Sequence, residues 1–240
     1  MRNPMLITEK EYPIPQAVTE WADTHSVPIF RFSSDDREYP ELNYDYIVEY
    51  SDDISLDYLE IIYCHAHNLP ATIGITEDLI IREIGLNDLD AYRKLIEMYP
   101  NAVADQTLIG LTREDFKERQ KAYIKYSYHF LGYGIYGIFL KISNSEMFST
   151  SREKLIGIAG LDGTDIPSLS YALIKEYQGN GYAFEACCQI LEYAGSVLCL
   201  DKIIVKIQND NLRSLHLADK LKEKYPILEI CRLPAHSSDQ

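Results

Sequence analysis

The stretch "ALIKEYQGNGYAFEACCQILEYA", residues 172–194, decides the reading. It opens on the end of an apolar, strand-like run, "SLSYALI" at 168–174, and passes through a loop with two glycines straight into an amphipathic run. Ala183, Cys187, Ile190, Leu191 and Ala194 recur at helical spacing, with Glu185, Gln189 and Glu192 on the opposite side. A helix start leaves backbone N–H groups without intrahelical partners and carries a partial positive charge. Glycines at such a junction let a bulky anion come close to those donors. Gly179 and Gly181 flank Asn180 immediately before the helix, so the loop reads as a phosphate or pyrophosphate site, with a plain tight turn as the alternative. It is not a Walker A loop, since no Gly-Lys-Ser/Thr follows, and its glycine spacing is not GxGxxG.

Working outward, "KIIVKIQ" (202–208) reads as a strand, "NLRSLHLADKLKEKY" (211–225) as a helix and "ILEICRL" (227–233) as a last strand. Upstream, "YGIYGIFLKI" and "KLIGIAGL" read as a strand pair joined by the polar loop "SNSEMFSTSRE". "TREDFKERQKAYIKYSYHF" (112–130) reads as one helix, opened by Thr112 with Asp115 three residues on. "LIIREI" (79–84) is a strand, and Asn87 can cap the helix carrying Leu89, Tyr92, Leu95, Ile96 and Tyr99. "HNLPATIGITED" (67–78) reads as a connector, with turn chemistry at Asn68, Pro70 and Gly74. Before it lies a small β-α-β-β-α layer. Its strands are "MLIT", "VPIFRF" and "YDYIVEY", and its helices place Val18, Trp21, Ala22 and His25 on one face and Leu56, Leu59, Ile62, Tyr63 and Ala66 on another, the second capped by Ser55. The chain thus divides into residues 1–76 and 77–240, and the fold class is α/β with a mixed central sheet flanked by helices.

Composition narrows the function classes. The 240 residues are 46% hydrophobic and 25% charged, enough for a real core in one large domain or two small ones. No run approaches a membrane span, and the start of the chain is too short in apolar residues for a signal peptide, so a cytoplasmic protein is expected. The formal charge of −14 argues against general nucleic-acid binding; it suits a cationic substrate or equally serves solubility alone. Five cysteines, odd in number and without metal-ligand spacing, read as free thiols. His65 and His67 sit two apart on a helix and share no face, so no metal site is expected there.

The loop has a family likeness. Gln178-x-x-Gly181-x-Ala183 resembles the Q/R-x-x-G-x-G/A motif of the GNAT superfamily of N-acetyltransferases. The wider segment, with its "GNGYAFEA", looks like the RimJ/RimL branch. Asn211 and Ser214 match that branch's N-x-x-S segment, and "LIIREIGLNDLDAYRKL" looks like its first strand and helix, so the likeness spans roughly residues 79–233. The resemblance implies the GNAT fold, acetyl-CoA as cofactor, and a loop from Gln178 through Gly179, Asn180, Gly181, Tyr182 and Ala183 that cradles the pyrophosphate of coenzyme A. It also implies a splayed strand whose backbone at Leu173 and Ile174 pairs with pantetheine, with Asn211 and Ser214 nearby. Lys175, Lys202, Lys206 and Arg213 can add positive charge. Residues 1–76 resemble an N-terminal extension found in some of these enzymes, a remnant of a Rossmann-like layer with a structural or substrate-shaping role.

Acetyl transfer to an amine needs a deprotonated amine, a polarised carbonyl and a proton for the leaving thiolate. The places where the superfamily carries a glutamate base hold Pro167 or Ser168, and Lys206, and the place of its acidic tyrosine holds Ala218. That departure leaves Asp162 or Asp165 to hold a water that takes the amine proton, Ser214 to hydrogen-bond the sulfur or else to cap its helix, and Tyr171 as a wall or proton-bearing residue beside the cofactor. Cys187 and Cys188 read as packing groups. The 19 tyrosines, dense in "YIKYSYHFLGYGIYGIF", suit an aromatic acceptor cleft for a small amine or a protein N-terminus, cationic in either case. A monomer or homodimer is expected. The alternative is a non-catalytic protein of the same fold that binds or senses coenzyme A or acetyl-CoA.

Overall fold

The computed structural model describes residues 6–9, 15–32, 55–100, 105–142 and 153–235. The chain divides into two compact units between Ala71 and Thr72.

In the first unit, β1 (Leu6–Glu9) and β2 (Ile29–Phe32) pair in parallel, an arrangement that needs a crossover connection. The connection includes the helix α1 (Gln16–His25). Its expected apolar face is only partly inward: Ala22 is buried, while Val18 and Trp21 are exposed and Trp21 stacks on His25. Next comes α2 (Leu56–Ala66), whose first turn is capped as expected, Tyr58 N–H donating to Ser55 Oγ at 3.1 Å. Its buried residues are Ile61, Ile62 and His65; Leu56, in the unpacked first turn, is 84% exposed. The expected strand at 44–50 lies outside the described residues.

The second unit is built on a seven-stranded sheet in the order β3-β4-β5-β6-β7-β8-β9. The strands are β3 (Thr72–Ile75), β4 (Leu79–Arg82), β5 (Ile135–Lys141), β6 (Glu153–Asp162), β7 (Ser168–Leu173), β8 (Ile203–Gln208) and β9 (Leu228–Leu233). The first five pair antiparallel and the last three parallel, so the sheet is mixed. Helices α3 (Leu89–Met98) and α4 (Arg113–Tyr123) follow β4; α5 (Tyr182–Ser196) joins β7 to β8, and α6 (Leu212–Lys224) joins β8 to β9. One core gathers Leu89, Tyr92, Leu95 and Ile96 of α3 and Phe116 of α4 against Phe139, Leu155 and Ile158 of the sheet. Another buries one side of α5 through Ala186, Cys187, Ile190, Leu191 and Ala194. No helix among the described residues is long and apolar enough to cross a membrane.

Four local readings change. The connector at 67–78 contains β3, because β-branched Thr72, Ile73 and Ile75 extend beside β4. Gly74 serves close approach there, not a turn: a Cβ on it would stand 2.6 Å from Cβ of Gln189. Gln189, expected on the outer side of its helix, therefore faces the sheet edge. Asn87 does not cap α3; a 3₁₀ turn, Leu86–Asp88, comes first, and Asp88 accepts from Gly85 N–H at 2.8 Å. Arg82 holds the same carboxylate, reaches Glu153 and lies 3.7 Å above the Phe139 ring.

The expected helix over 112–130 begins as predicted, with Thr112 Oγ1 accepting from Asp115 N–H at 3.1 Å. It then continues as a π-helical segment, Ile124–Leu131, ended by Gly132 in the left-handed region. The wider turn gives Tyr123 and Tyr128 a shared job. Tyr123 accepts from Ile135 N–H at 2.7 Å, and Tyr128 donates to the Ile135 carbonyl. Tyr128 also accepts from Ile84 N–H at 3.3 Å, and Gln120 Nε2 donates to the Ile84 carbonyl at 2.7 Å. The β4–β5 ladder ends at Arg82↔Gly137, so side chains satisfy the backbone groups beyond it.

Candidate functional site

After Leu173 the chain makes a 3₁₀ turn, Lys175–Tyr177, and enters the glycine loop. Local bonds shape it: Gln178 Nε2 donates to the Leu173 carbonyl at 3.0 Å, and Asn180 Nδ2 to the Tyr177 carbonyl at 3.3 Å. Gly179 and Gly181 have φ of 85° and 86°, which L side chains rarely adopt, and a Cβ on either would meet nothing within 4 Å. The first bond of α5 runs from Glu185 N–H to the Gly181 carbonyl at 3.0 Å. The N–H groups of Tyr182, Ala183 and Phe184 thus start the helix without intrahelical acceptors, and the cap residue Gly181 has no side chain to serve them. These three residues, with Gln178 and the two glycines, wall a cleft of about 1100 Å³.

The cleft exists because two parallel strands part. β7 and β8 share a single register pair, Ser168↔Ile204. Past it, Tyr171, Ala172 and Leu173 line one side of the opening and Asn211, Ser214 and Leu217 the other. Ladder alternation sets which backbone groups face it. Ile174 N–H donates to the Ile156 carbonyl at 2.9 Å, so Tyr171 and Leu173 turn their backbone groups away from β6, toward the gap. Leu173 thus turns its backbone N–H toward the gap. Ile174 does not: its N–H serves Ile156, its carbonyl accepts from Tyr177 N–H at 2.9 Å, and its side chain packs on the α3 core.

Asn211 caps α6, accepting from Ser214 N–H at 3.2 Å, so Ser214 is not the cap residue. Tyr171 reaches across, its hydroxyl donating to the Ser214 carbonyl at 3.4 Å. Burial pushes the Tyr171 phenol up to about 12, against a smaller opposing pull from a hydrogen bond with the Ser214 side chain. It therefore keeps its proton at neutral pH. Lys175 and Arg213 line the cleft as expected, joined by His216 and Lys220, and no carboxylate stands among the described residues of the lining. Lys202 instead pairs with Glu229 at 3.0 Å, and Lys206 is not in the lining.

Successive residues of a strand face opposite sides of the sheet. Tyr171 lines the cleft, and its neighbour Ser170 lines a second pocket of about 310 Å³. Asp162, Tyr92, Tyr123 and Tyr126 also wall that pocket. Arg119 enters it paired to Asp105 at 3.0 Å, and the Thr107 hydroxyl holds Asp105 below the usual carboxylate range. Asp162 Oδ1 accepts from Gly163 N–H at 2.8 Å. Tyr123 is pushed up to about 12 by burial. Of the three candidate catalytic residues, Tyr171 and Ser214 stand together in the cleft and Asp162 on the other face; Asp165 is in neither lining.

Cys187 is fully buried, and burial pushes its thiol well up, as suits a packing residue. Among the described residues no three His, Cys, Asp or Glu side chains converge as metal ligands. Sequence reasoning missed Tyr99, whose hydroxyl accepts from Lys175 N–H at 2.9 Å across 76 residues, a separation with no local signal. Lys220 was findable: it falls seven residues after Arg213, on the same helical face.

Comparison with the curated proteins finds no match. Among solved structures, one similar chain is RimL, a ribosomal L7/L12 alpha-N-protein acetyltransferase in complex with coenzyme A. It is 17% identical, with TM-score 0.48 over 62% of this chain and 81% of that one. Another, from Salmonella typhimurium, is an acetyl transferase that modifies the N-terminal serine of ribosomal protein L7/L12, at 17% identity and TM-score 0.47 over 62% and 81%. A third is the spermidine/spermine N-acetyltransferase SpeG from Vibrio cholerae, at 18% identity and TM-score 0.44 over 60% and 78%. The family model for the acetyltransferase (GNAT) domain matches residues 78–222, from the start of β4 through most of α6. With that match over more than half of its length, the chain belongs to the GNAT acetyltransferase family.

Proposed function

We propose that this protein is an acetyl-CoA-dependent N-acetyltransferase that moves an acetyl group to a primary amine by direct attack in a ternary complex. One observation carries the reading: the cleft between β7 and β8 ends at a helix start with free N–H donors and open glycines, and a second pocket, lined in part by Ser170, lies on the other side of β7. Coenzyme A fits the first cleft by three tests. The space at Gly179 and Gly181 is open, the N–H groups of Tyr182, Ala183 and Phe184 await an anion, and the cations Lys175, Arg213 and Lys220 border the site. Bound acetyl-CoA supplies the thioester carbonyl that an amine attacks and the thiolate that leaves.

The chain's own residues then have distinct tasks. The glycine loop and the first turn of α5 hold the pyrophosphate, and the Leu173 N–H guides the pantetheine arm. Tyr171, protonated at neutral pH, turns its O–H from the Ser214 carbonyl, a 3.4 Å contact, to donate to the departing sulfur. Asp162, in the second pocket, attracts the ammonium of the acceptor and takes its proton directly or through a water. Tyr92, Tyr123 and Tyr126 around it suit a cationic amine, either a small molecule or a polypeptide N-terminus. Holding both reactants side by side supplies much of the acceleration.

The absence of a carboxylate at 167, 168 and 206 favours a second reading, a protein that binds the cofactor without turnover. Thermal unfolding with acetyl-CoA, coenzyme A and ATP, followed by thiol release in the presence of a primary-amine panel, separates the two. Acetyl-CoA at ~100 times its dissociation constant should stabilise the fold by roughly 2.7 kcal/mol, with no shift from ATP. Amine-dependent thiol release establishes the enzyme, and a shift without release establishes the binding protein. No shift removes both readings.

A further inference from the structure

Among the described residues, every hydrogen bond made by the segment 175–181 but one is local. Tyr177 N–H goes to Ile174, Gln178 N–H to Lys175, the Gln178 amide to Leu173 and the Asn180 amide to Tyr177. The exception is Lys175 N–H, which donates at 2.9 Å to the hydroxyl of Tyr99. Local bonds fix the shape of a loop but not where it stands in the fold. The loop's ends are held by β7 and α5, and Lys154 Nζ lies 5.3 Å from the Tyr177 ring centroid; the Tyr99 hydroxyl adds the one long-range hydrogen bond among the described residues.

Tyr99 is well placed for it. It is the C-terminal cap residue of α3, a helix whose Leu89, Tyr92, Leu95 and Ile96 are buried in the core. A hydroxyl carried by such a helix is a fixed acceptor. Tyr92 lies seven residues earlier on the same helical face, about 10.5 Å along the axis, and lines the second pocket. One helix therefore lines the second pocket through Tyr92 and, through Tyr99, holds the backbone of Lys175, a residue of the cleft lining just before the glycine loop. The bond lies at an exposed residue, so water can reach the Lys175 N–H when the tyrosine oxygen is removed. Loss of the bond then costs position more than fold stability.

We propose that Tyr99 is a positioning residue for the cofactor: its hydroxyl sets the pyrophosphate loop at the height the acceptor-side helix requires. The inference rests on the coenzyme A reading of the cleft. The test is Tyr99→Phe, with binding of coenzyme A and of acetyl-CoA measured by titration calorimetry alongside the melting temperature of the free protein. Affinity should fall about fivefold, the equivalent of one ordinary hydrogen bond, by the same factor for both ligands, because the loop is remote from the acyl end. The melting temperature of the free variant should stay where it was. Unchanged affinity in the variant, with the wild type binding normally, overturns the proposal. So does a loss confined to acetyl-CoA, which would place the hydroxyl at the acyl group, or a melting temperature lowered in step with affinity, which would make the bond a fold contact. A wild type that binds neither ligand is a different outcome: the cofactor reading itself fails, and the proposal with it.

Discussion

Tyr171 keeps its proton because of where it stands. Burial in the cleft raises its phenol to about 12, and the Ser214 hydrogen bond holds it toward the opening. If it protonates the leaving sulfur, Tyr171→Phe should lower kcat about a hundredfold while leaving acetyl-CoA affinity within about twofold, and Ser214→Ala should lower kcat less. Steady-state kinetics beside calorimetry would check this. An affinity loss as large as the rate loss would make Tyr171 a wall. The glycine loop was legible in the sequence because its chemistry is local: two glycines, a helix start and a strand before them. Ile174 was not, because the direction of a backbone group depends on the ladder with β6, a contact across the sheet. The exclusion of Ser214 from the cap was written in the sequence, since Asn211 three residues earlier is the better cap.

Elements show the same division between local and distant causes. The helices and most strands of residues 77–240 follow from hydrophobic periodicity. The π-helical segment does not, because its reason lies elsewhere, in the two backbone groups of Ile135 beyond the β4–β5 ladder. In an α-helix, residues five apart point about 140° away from each other; the wider turn brings Tyr123 and Tyr128 together, their rings edge-on at 5.4 Å. Tyr128→Phe would leave Ile84 N–H and the Ile135 carbonyl without their shared partner in a buried place. It should cost about 2 kcal/mol and lower the melting temperature by roughly 4–8 °C, measurable by calorimetry. A neutral outcome would show that the strand ends are held by packing alone. β3 was misread for a related reason: Gly74 resembles a turn residue until the helix that crosses it is in place.

Across the whole molecule, buried tyrosines set an upper limit on pH. Tyr123 and Tyr171 rise to about 12, and Tyr128 and Tyr136 rise well above the ordinary value, in each case chiefly through burial. Unfolded tyrosines ionise near about 10. Above that pH the unfolded chain gives up protons that the folded one keeps, so this contribution to stability is fully present below about pH 10 and is lost as pH rises through the folded values. Denaturant midpoints should hold from neutral pH to about pH 9.5 and then fall. Tyrosinate absorbance should show exposed residues titrating first and the buried set only with unfolding. A single smooth titration near pH 10 without loss of structure would contradict the burial. The sheet has a consequence of another kind. Because Ser170 and Tyr171 are neighbours that face opposite sides, β7 presents a cavity on each of its sides. If the two cavities take the cofactor and the amine as proposed, each enters from its own side of β7, and a compound that blocks one entrance leaves the other open.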